Sequence, residues 1–313
     1  MKRITFYIAI LLSLNCYSQN FSGEIIYDFQ IVPKVKSELV DSLITDSKGV
    51  KIHYLITDNF YKSTKYKNGK TIYSYTYDQV SKRMYDDYAN MEYITYRDSR
   101  KSNTEYYGSE VFKDSIEVIS GLRCFMVKYD AEYGKSISYY SDEVKVNYES
   151  FKDHNIGNWY ESLKEVDGCI SIKNITEYEN YSAVRKAIDI TSKELKPKDF
   201  ELPNDKIIVA SYLALDERAE LIQPTTQQIE LFQNRVQTAS KKLNDGEKYL
   251  CYLRFVLTKD GEIKYLDTYK KGSNYFDKKA IEIFKECNFK FIPGVIDGRD
   301  VSSQVYFPIE FKA

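Results

Sequence analysis

The sequence predicts an α+β protein: an antiparallel β-rich N-terminal part forms a curved sheet or partial barrel, and a small two-layer α/β domain follows. Composition is the first reason, since 30 Tyr and 16 Phe stand in a chain of 313 residues with only 13 Gly and 6 Pro. Aromatic rings pack well on half-buried strand faces. Periodicity is the second reason: apolar residues alternate with polar ones up to Pro203 and recur at intervals of three and four after Pro224.

Charge excludes one class of function. The chain has 45 Lys and Arg against 46 Asp and Glu, a formal net charge of −1. Without a basic excess it lacks the electrostatic attraction to phosphates on which general nucleic-acid binding depends. We therefore expect no nucleic-acid partner.

Residues 1–18 are typical of a secretory signal peptide. Lys2 and Arg3 precede an apolar run of about 11 residues, which is shorter than the roughly 20 that span a bilayer. Small residues before Gln19 fit a cleavage site, and no later stretch could span a membrane. The pattern predicts export to the periplasm, in solution or associated with the outer membrane. Retention of the segment as an anchor and lipidation of Cys16 are the alternatives.

Residues 19–205 are predicted to form the β-rich domain. Ile25, Tyr27, Phe29 and Ile31 share one face of a first strand with period two, and Asn68-Gly69 predicts a type I′ hairpin turn. Further turns are expected near Asn90, Gly108, Gly121 and Gly134. Residues 206–224 are predicted to be a connector, in which 207–212 could be one more strand.

Residues 225–313 are predicted to form the α/β domain. Thr225 and Gln228 form a capping box for a first helix over 227–243, and Asn274 caps a second helix with Asp277 in its first turn. A hairpin turns between the helices at Asp260-Gly261. Alternating apolar residues predict a final strand, where Pro308 requires an edge or a bulge because it cannot donate to a ladder.

Four cysteines remain after removal of the signal peptide: Cys124, Cys169, Cys251 and Cys287. Export permits disulfides, and the economical pairing is Cys124 with Cys169 and Cys251 with Cys287. Four buried free thiols that act as small apolar side chains are the alternative.

The stretch from Tyr249 to Phe311 resembles the C-terminal domain of the TonB family. The resemblance rests on motifs that occur in the family's order: Leu253, Phe255 and Leu257 on a strand; Lys259-Asp260-Gly261-Glu262-Ile263; a helix opening at Phe276-Asp277; Phe289-Lys290-Phe291-Ile292-Pro293-Gly294; Asp297-Gly298; and Pro308-Ile309-Glu310-Phe311. It implies a sheet covered by helices that binds a short segment of an outer-membrane transporter by adding it as a strand.

This resemblance predicts a protein-interaction or adaptor module, with Val305, Phe307 and Ile309 of the last strand as the partner-binding residues. Three family features are missing: the Tyr-Pro entry before the first strand, the Pro-rich linker, and a long N-terminal anchor. These departures disfavour energy transduction. A TonB-type transducer is a further alternative, which N-terminal sequencing that finds Gln19 first would eliminate. The oligomeric state is left open.

The N-terminal part is similar to secreted proteins of the GLPGLI type. The similarity rests on residues 22–27, 119–129 and 137–141, and Asp167-Gly168-Cys169-Ile170 stands where the eponymous motif would be. It implies a curved antiparallel sheet around an apolar interior. A carrier of a lipid-like ligand is therefore the alternative function. An enclosed apolar cavity of several hundred cubic ångströms would favour the carrier, and a filled interior would favour the adaptor.

Sequence motifs for catalysis are missing, so we expect no enzyme, no cofactor and no metal. His53 lies in an expected strand and His154 in a polar loop, and neither has metal-ligand spacing. No nucleophile elbow, phosphate loop or dinucleotide fingerprint is present. Two aromatic features stay open between packing and recognition, namely the tyrosines between Tyr73 and Tyr107, and Trp159.

Overall fold

The computed structural model of the chain describes residues 20–101, 106–131, 134–269 and 272–313. They divide into two compact units, the first containing residues 20–84 and Ser99–Leu202 and the second Tyr85–Asp98 and Pro203–Ala313. The fold is α+β with an open, curved sheet, as the sequence predicts. The predicted signal peptide and Cys16 lie outside the described residues.

Strands and helices of the described residues are numbered along the chain. The strands β1 to β19 are Gly23–Pro33, Val50–Ile56, Phe60–Lys67, Lys70–Asp78, Arg83–Tyr88, Tyr93–Asp98, Tyr106–Ile119, Leu122–Ala131, Gly134–Lys145, Cys169–Glu177, Tyr181–Ser192, Ile207–Ala210, Glu220–Leu221, Lys248–Leu257, Ile263–Thr268, Phe291–Ile292, Gly294–Ile296, Arg299–Val301 and Ser303–Lys312. The helices α1 to α4 are Glu38–Ser47, Trp159–Glu165, Thr226–Ser240 and Asn274–Cys287.

The first unit is an antiparallel sheet in the order β4-β3-β2-β1-β11-β10-β9-β8-β7. Register shifts interrupt several ladders, for example between Ile26 and Tyr27 in β1 and between Lys65 and Tyr66 in β3. Such bulges bend strands and increase their twist, which explains the curvature. The predicted hairpin turn is confirmed, since Asn68 and Gly69 have φ values of 51° and 76°, as a type I′ turn demands.

Aromatic side chains fill much of the interior of the first unit. Tyr27, Tyr61 and Tyr77 are at most 3% exposed. His154 is fully buried although it lies in the predicted loop, because its ring stacks on Tyr77 at 4.1 Å and hydrogen-bonds to the hydroxyl of Tyr61. The histidine is thus part of the core. Helices α1 and α2 are additions that the sequence patterns did not predict.

The second unit contains a sheet in the order β15-β14-β19-β12-β6. Strand β12 pairs parallel with β6 over 207–210 and with β19 at Ala210 opposite Ser303. Residues 85–98 fall within the predicted β-rich domain, but in the structure they belong to the second unit. The reason is that β12, which lies in the predicted connector, pairs with β6.

Helices α3 and α4 pack on one face of this sheet around a core rich in phenylalanine. Phe284 of α4 lies 5.2 Å from Phe255 of β14 and 5.2 Å from Phe307 of β19, measured between ring centroids. The Thr225–Gln228 capping box is present as predicted. The cap of α4 is Ser273 rather than Asn274, and α3 ends at Ser240, three residues before the predicted end.

Candidate functional site

The first unit contains a partly open cavity of about 290 Å³ lined by its curved sheet and helix α2. Six lining side chains are aromatic, namely Tyr27, Tyr54, Tyr75, Tyr129, Tyr140 and Trp159, and the rest of the wall is largely polar. Helix α2 begins at Trp159 and brings this residue to the cavity, where its ring lies 6.5 Å from that of Tyr54. Trp159 therefore both packs against the core and faces an internal space.

Three groups on the cavity wall have hydrogen-bond donors without an acceptor. They are Nε of Arg185, the hydroxyl of Tyr54 and Nε1 of Trp159, each buried and without a partner among the described residues. The guanidinium of Arg185 lies over the ring of Tyr27, 4.6 Å from its centroid. Burial raises the pKa of Tyr54 well above its ordinary value, so its hydroxyl stays protonated and remains a donor.

The four described cysteines are buried free thiols, so the predicted disulfide pairs are not formed. Cys124 belongs to the main core of the first unit, whereas Cys169 packs in a separate cluster with Phe125 and Val127. In the second unit the thiol of Cys251 donates to Asp277 at 3.6 Å. Burial raises the pKa of Cys169 and of Cys251 to about 12, which keeps both in the unreactive thiol form.

Metal ligands do not cluster in the described part of the chain: no three His, Cys, Asp or Glu side chains are placed to hold an ion. Nδ1 of His53 instead donates a hydrogen bond to a carboxylate oxygen of Glu24 at 3.1 Å, and the second carboxylate oxygen of Glu24 accepts from Lys193 at 2.8 Å. Burial alone would raise the pKa of Glu24, but the contacts with Lys193 and His53 outweigh it, so the pKa is lowered. Within the same described ranges, no helix has the length and apolarity to cross a membrane.

In the second unit, strand β19 pairs with β14 along its whole length. Just beyond it, the backbone N–H of Ala313 donates to the carbonyl oxygen of Glu247 at 3.2 Å. Because residues of an antiparallel pair alternate between hydrogen-bonded and non-bonded positions, this bond fixes the alternation along the strand. Odd-numbered residues of β19 direct their N–H and C=O groups to β14, and even-numbered residues direct theirs to the opposite edge.

Among the described residues of the second unit, no strand pairs with that opposite edge over most of its length, although the Tyr212 ring packs on Tyr306 at 6.0 Å between centroids. Strand β12 pairs with it at Ser303, and near its end the N–H of Lys312 donates to Oγ of Ser240 at 3.0 Å. Between them, along 306–310, no strand lies beside the edge among the described residues of the second unit. Pro308 occupies an outward position, so its missing N–H leaves the ladder with β14 unbroken. Of the two predicted explanations for Pro308, an edge or a bulge, the structure shows the edge.

The predicted partner-binding residues lie on the inner side of this strand. Val305 and Ile309 are buried and Phe307 packs against the same core, while their backbone groups face β14. The groups available at the open edge belong to Tyr306, Pro308 and Glu310. Pro308 itself is the sequence signal that could have shown that the even-numbered residues of β19 face the open edge.

Residues 246–313 match the family of Gram-negative bacterial TonB protein C-terminal domains. The predicted resemblance is thereby confirmed for the end of the chain, and residues 246–313 are called the TonB-like domain below. No curated protein matches the chain.

Solved structures show only distant similarity. Two crystal forms of PNGF-II align with 76% and 93% of this chain, at 9% and 8% identity and TM-scores of 0.37 and 0.38. The chain spans 44% and 61% of the length of those PNGF-II chains. A LolA superfamily protein from Nitrosomonas europaea aligns with 58% of this chain and 91% of its own length, at 9% identity and a TM-score of 0.29. Similarities this weak carry no argument about function.

The sheet face opposite the helices of the TonB-like domain carries exposed apolar side chains beside the open edge. Leu250 and Tyr252 of β14 are 49% and 44% exposed, and they lie opposite Glu310 and Pro308. Tyr306 packs edge-on against Tyr269, with ring centroids 5.0 Å apart. A strand added at 306–310 would lie beside Tyr306, Pro308 and Glu310, with Leu250 and Tyr252 one strand further into the sheet.

The other edge of this sheet is less suited to strand addition. Strand β15 has a register shift against β14 and contains Tyr265, a non-glycine residue with φ of 55°. It also carries the charged residues Lys264 and Asp267. A bulge and charges are common means by which proteins protect an edge from pairing. The open edge of β19 is thus the better candidate.

Proposed function

We propose that the protein is a non-enzymatic adaptor of the cell envelope, whose TonB-like domain binds a protein partner by strand addition at the open edge of β19. The observation that carries the proposal is the unpaired outer edge along 306–310. We further propose that a signal peptide exports the chain to the periplasm, and that the partner is a periplasmic segment of an outer-membrane transporter.

Strand addition would use the backbone groups of the even-numbered residues of β19, which face the open edge. The N–H groups of Tyr306 and Glu310 and the carbonyl oxygens of Tyr306, Pro308 and Glu310 provide donors and acceptors along one line. Main-chain bonds of this kind supply affinity, and neighbouring side chains supply specificity. The side chains of Tyr306, Pro308 and Glu310 would be the direct neighbours of the added segment, because β19 lies between that segment and β14.

A pair of substitutions at Glu310 tests the proposal. Glu310 is exposed, so Glu310→Ala leaves both the fold and the outward N–H intact. Glu310→Pro removes that N–H without removing a ladder bond to β14, because the group faces outward. The tagged full-length chain and both variants are used to capture proteins from envelope extracts, with circular dichroism as a check of folding.

We expect the unchanged chain and Glu310→Ala to capture the same outer-membrane protein, and Glu310→Pro to lose it. Retention of that protein by a folded Glu310→Pro variant would refute binding at this edge. Deleting 225–313 is a poorer test, because it would also remove the strand partner of β12 in the second unit.

A second candidate function is supported by the cavity of the first unit. A volume of about 290 Å³ lies at the small end of the range of ligand sites, and an aromatic wall suits an apolar ligand. A carrier would hold a hydrophobic molecule in this space, and the TonB-like domain would serve as its docking domain. Retention of a small molecule by the purified protein, detected by native mass spectrometry, would support this function, and a cavity that stays empty and binds no apolar probe would contradict it.

A further inference from the structure

We propose that the cavity of the first unit selects a small amphipathic anion, with an apolar body against the tyrosines and one carboxylate or phosphate group beside Arg185. The proposal rests on the carrier function and names the class of its ligand. It follows from the charge, the donors and the size of the cavity.

Arg185 supplies a positive charge that the described residues do not neutralise. No ion pair joins it to a carboxylate, and its Nε is buried without a hydrogen-bond partner. Asp130 also lines the cavity but forms no ion pair with Arg185. An arginine stays protonated in proteins, so burial cannot remove this charge. A partly buried cation without a partner is costly, and a bound anion would relieve that cost.

The other unpartnered donors belong to side chains that line the same space. The Tyr54 ring lies 6.4 Å from the Tyr27 ring, over which Arg185 sits, and 6.5 Å from Trp159. These side chains come from strands β1, β2 and β11 and from helix α2, so the fold brings them to one wall. Tyr54 O–H, Trp159 Nε1–H and the guanidinium can all donate, and the indole and the guanidinium can only donate. An oxyanion is the ligand group that accepts from several donors at once.

The size of the cavity limits the apolar part of the ligand. A space of about 290 Å³ corresponds to roughly ten water molecules at roughly 30 Å³ each. A short alkyl chain or a single ring fits such a space better than a membrane lipid with two long chains. Octanoate and octyl phosphate are therefore suitable probes, and octanamide is the neutral analogue of octanoate.

Trp159 is the one tryptophan of the chain and reports binding directly through its fluorescence. Each probe is titrated into the full-length protein and into three variants. Arg185→Met removes the charge in the cavity, and Arg123→Met removes an exposed arginine outside it as a matched control. Tyr54→Phe removes only an unpartnered hydroxyl, so we expect this variant to fold.

We expect at least one of the two anions to change the fluorescence with saturation and to bind about ten-fold or more tightly than octanamide. Arg185→Met should weaken anion binding by a similar factor, Tyr54→Phe by about three-fold or more, and Arg123→Met should have no effect. The better of the two anions distinguishes a carboxylate from a phosphate ligand.

Equal affinity for octanoate, octyl phosphate and octanamide would overturn the anion inference and leave the carrier function standing. Anion binding unaffected by both Arg185→Met and Tyr54→Phe would also overturn it. Failure of all three probes to bind would contradict both the inference and the carrier function.

Discussion

Replacing Asp277 with Ala is expected to destabilise the second unit by about 3–5 kcal/mol. Asp277 is 8% exposed and accepts hydrogen bonds from the hydroxyl of Tyr249 at 2.7 Å and from the N–H of Gly272 at 3.0 Å. The weak thiol donor of Cys251 lies 3.6 Å away. Each hydrogen bond to a charged group contributes about 1.5–3 kcal/mol, and loss of a carboxylate near the N-terminus of α4 adds about 0.3–1 kcal/mol.

Alkylation of cysteines measures this loss separately in the two units. Cys251 and Cys287 are buried in the second unit, and Cys124 and Cys169 are buried in the first. A short pulse of alkylating reagent at each urea concentration, followed by peptide mass spectrometry, gives an unfolding midpoint for each thiol. With a urea dependence of about 1–3 kcal/mol per molar, the midpoint of Cys287 should fall by about 1 M or more.

Asp300 provides the control, because it is an exposed carboxylate of the same unit. Asp300→Ala should change stability by less than about 0.5 kcal/mol. If Asp277→Ala shifts the Cys287 midpoint no more than Asp300→Ala does, the cost of burying the carboxylate cancels its hydrogen bonds, and the reasoning fails.

Three further predictions concern packing, backbone conformation and pH. Phe284→Ala should cost the second unit about 3–5 kcal/mol in the same thiol assay, because the ring is 3% exposed and its loss leaves a cavity. Gly168 has φ of 78°, and a Cβ there would meet a backbone carbonyl oxygen at 2.1 Å. Gly168→Ala should therefore lower the thermal midpoint followed by tryptophan fluorescence much more than Gly69→Ala, where φ is 76° but no atom lies within 4 Å. Burial raises the pKa of Cys169 from 9.0 to about 12, so its stabilising contribution is complete below pH 9 and is lost as pH rises towards 12. Cys169→Ala should flatten the alkaline fall of the urea midpoint of the first unit, and an unchanged slope would contradict this.

Local chemistry allowed the turns, one helix cap and the C-terminal core to be predicted. Asn68-Gly69 needs only neighbouring residues to specify its turn, and the same holds for the capping box at Thr225. The phenylalanines of the second unit were predictable because the spacings of two and of three to four residues each define one apolar face. Their ring contacts at 5.2 Å show that these apolar faces meet in one core.

Pairings between distant segments could not be predicted in this way. The parallel pairing of β12 with β6 joins residues more than a hundred positions apart, and no turn signal connects them. The same limit applies to the cavity, since Tyr54, Trp159 and Arg185 converge only through the fold. The direction of the backbone groups of β19 could be predicted only in part. Pro308 suggests that its position faces outward, but the hydrogen bond from Ala313 to Glu247 is needed to establish which residues face β14.

The origin of β6 has a consequence for how the protein is made. The chain enters the second unit at Tyr85, leaves it after Asp98, and returns at Pro203. A ribosome therefore delivers one strand of that unit early, while strands β14 and β19 emerge only at the end of synthesis. Until then this early strand must stay unaggregated, and a gene fragment encoding the TonB-like domain alone would lack it. Grafting the whole second unit onto another protein would therefore mean transferring two separate pieces of sequence.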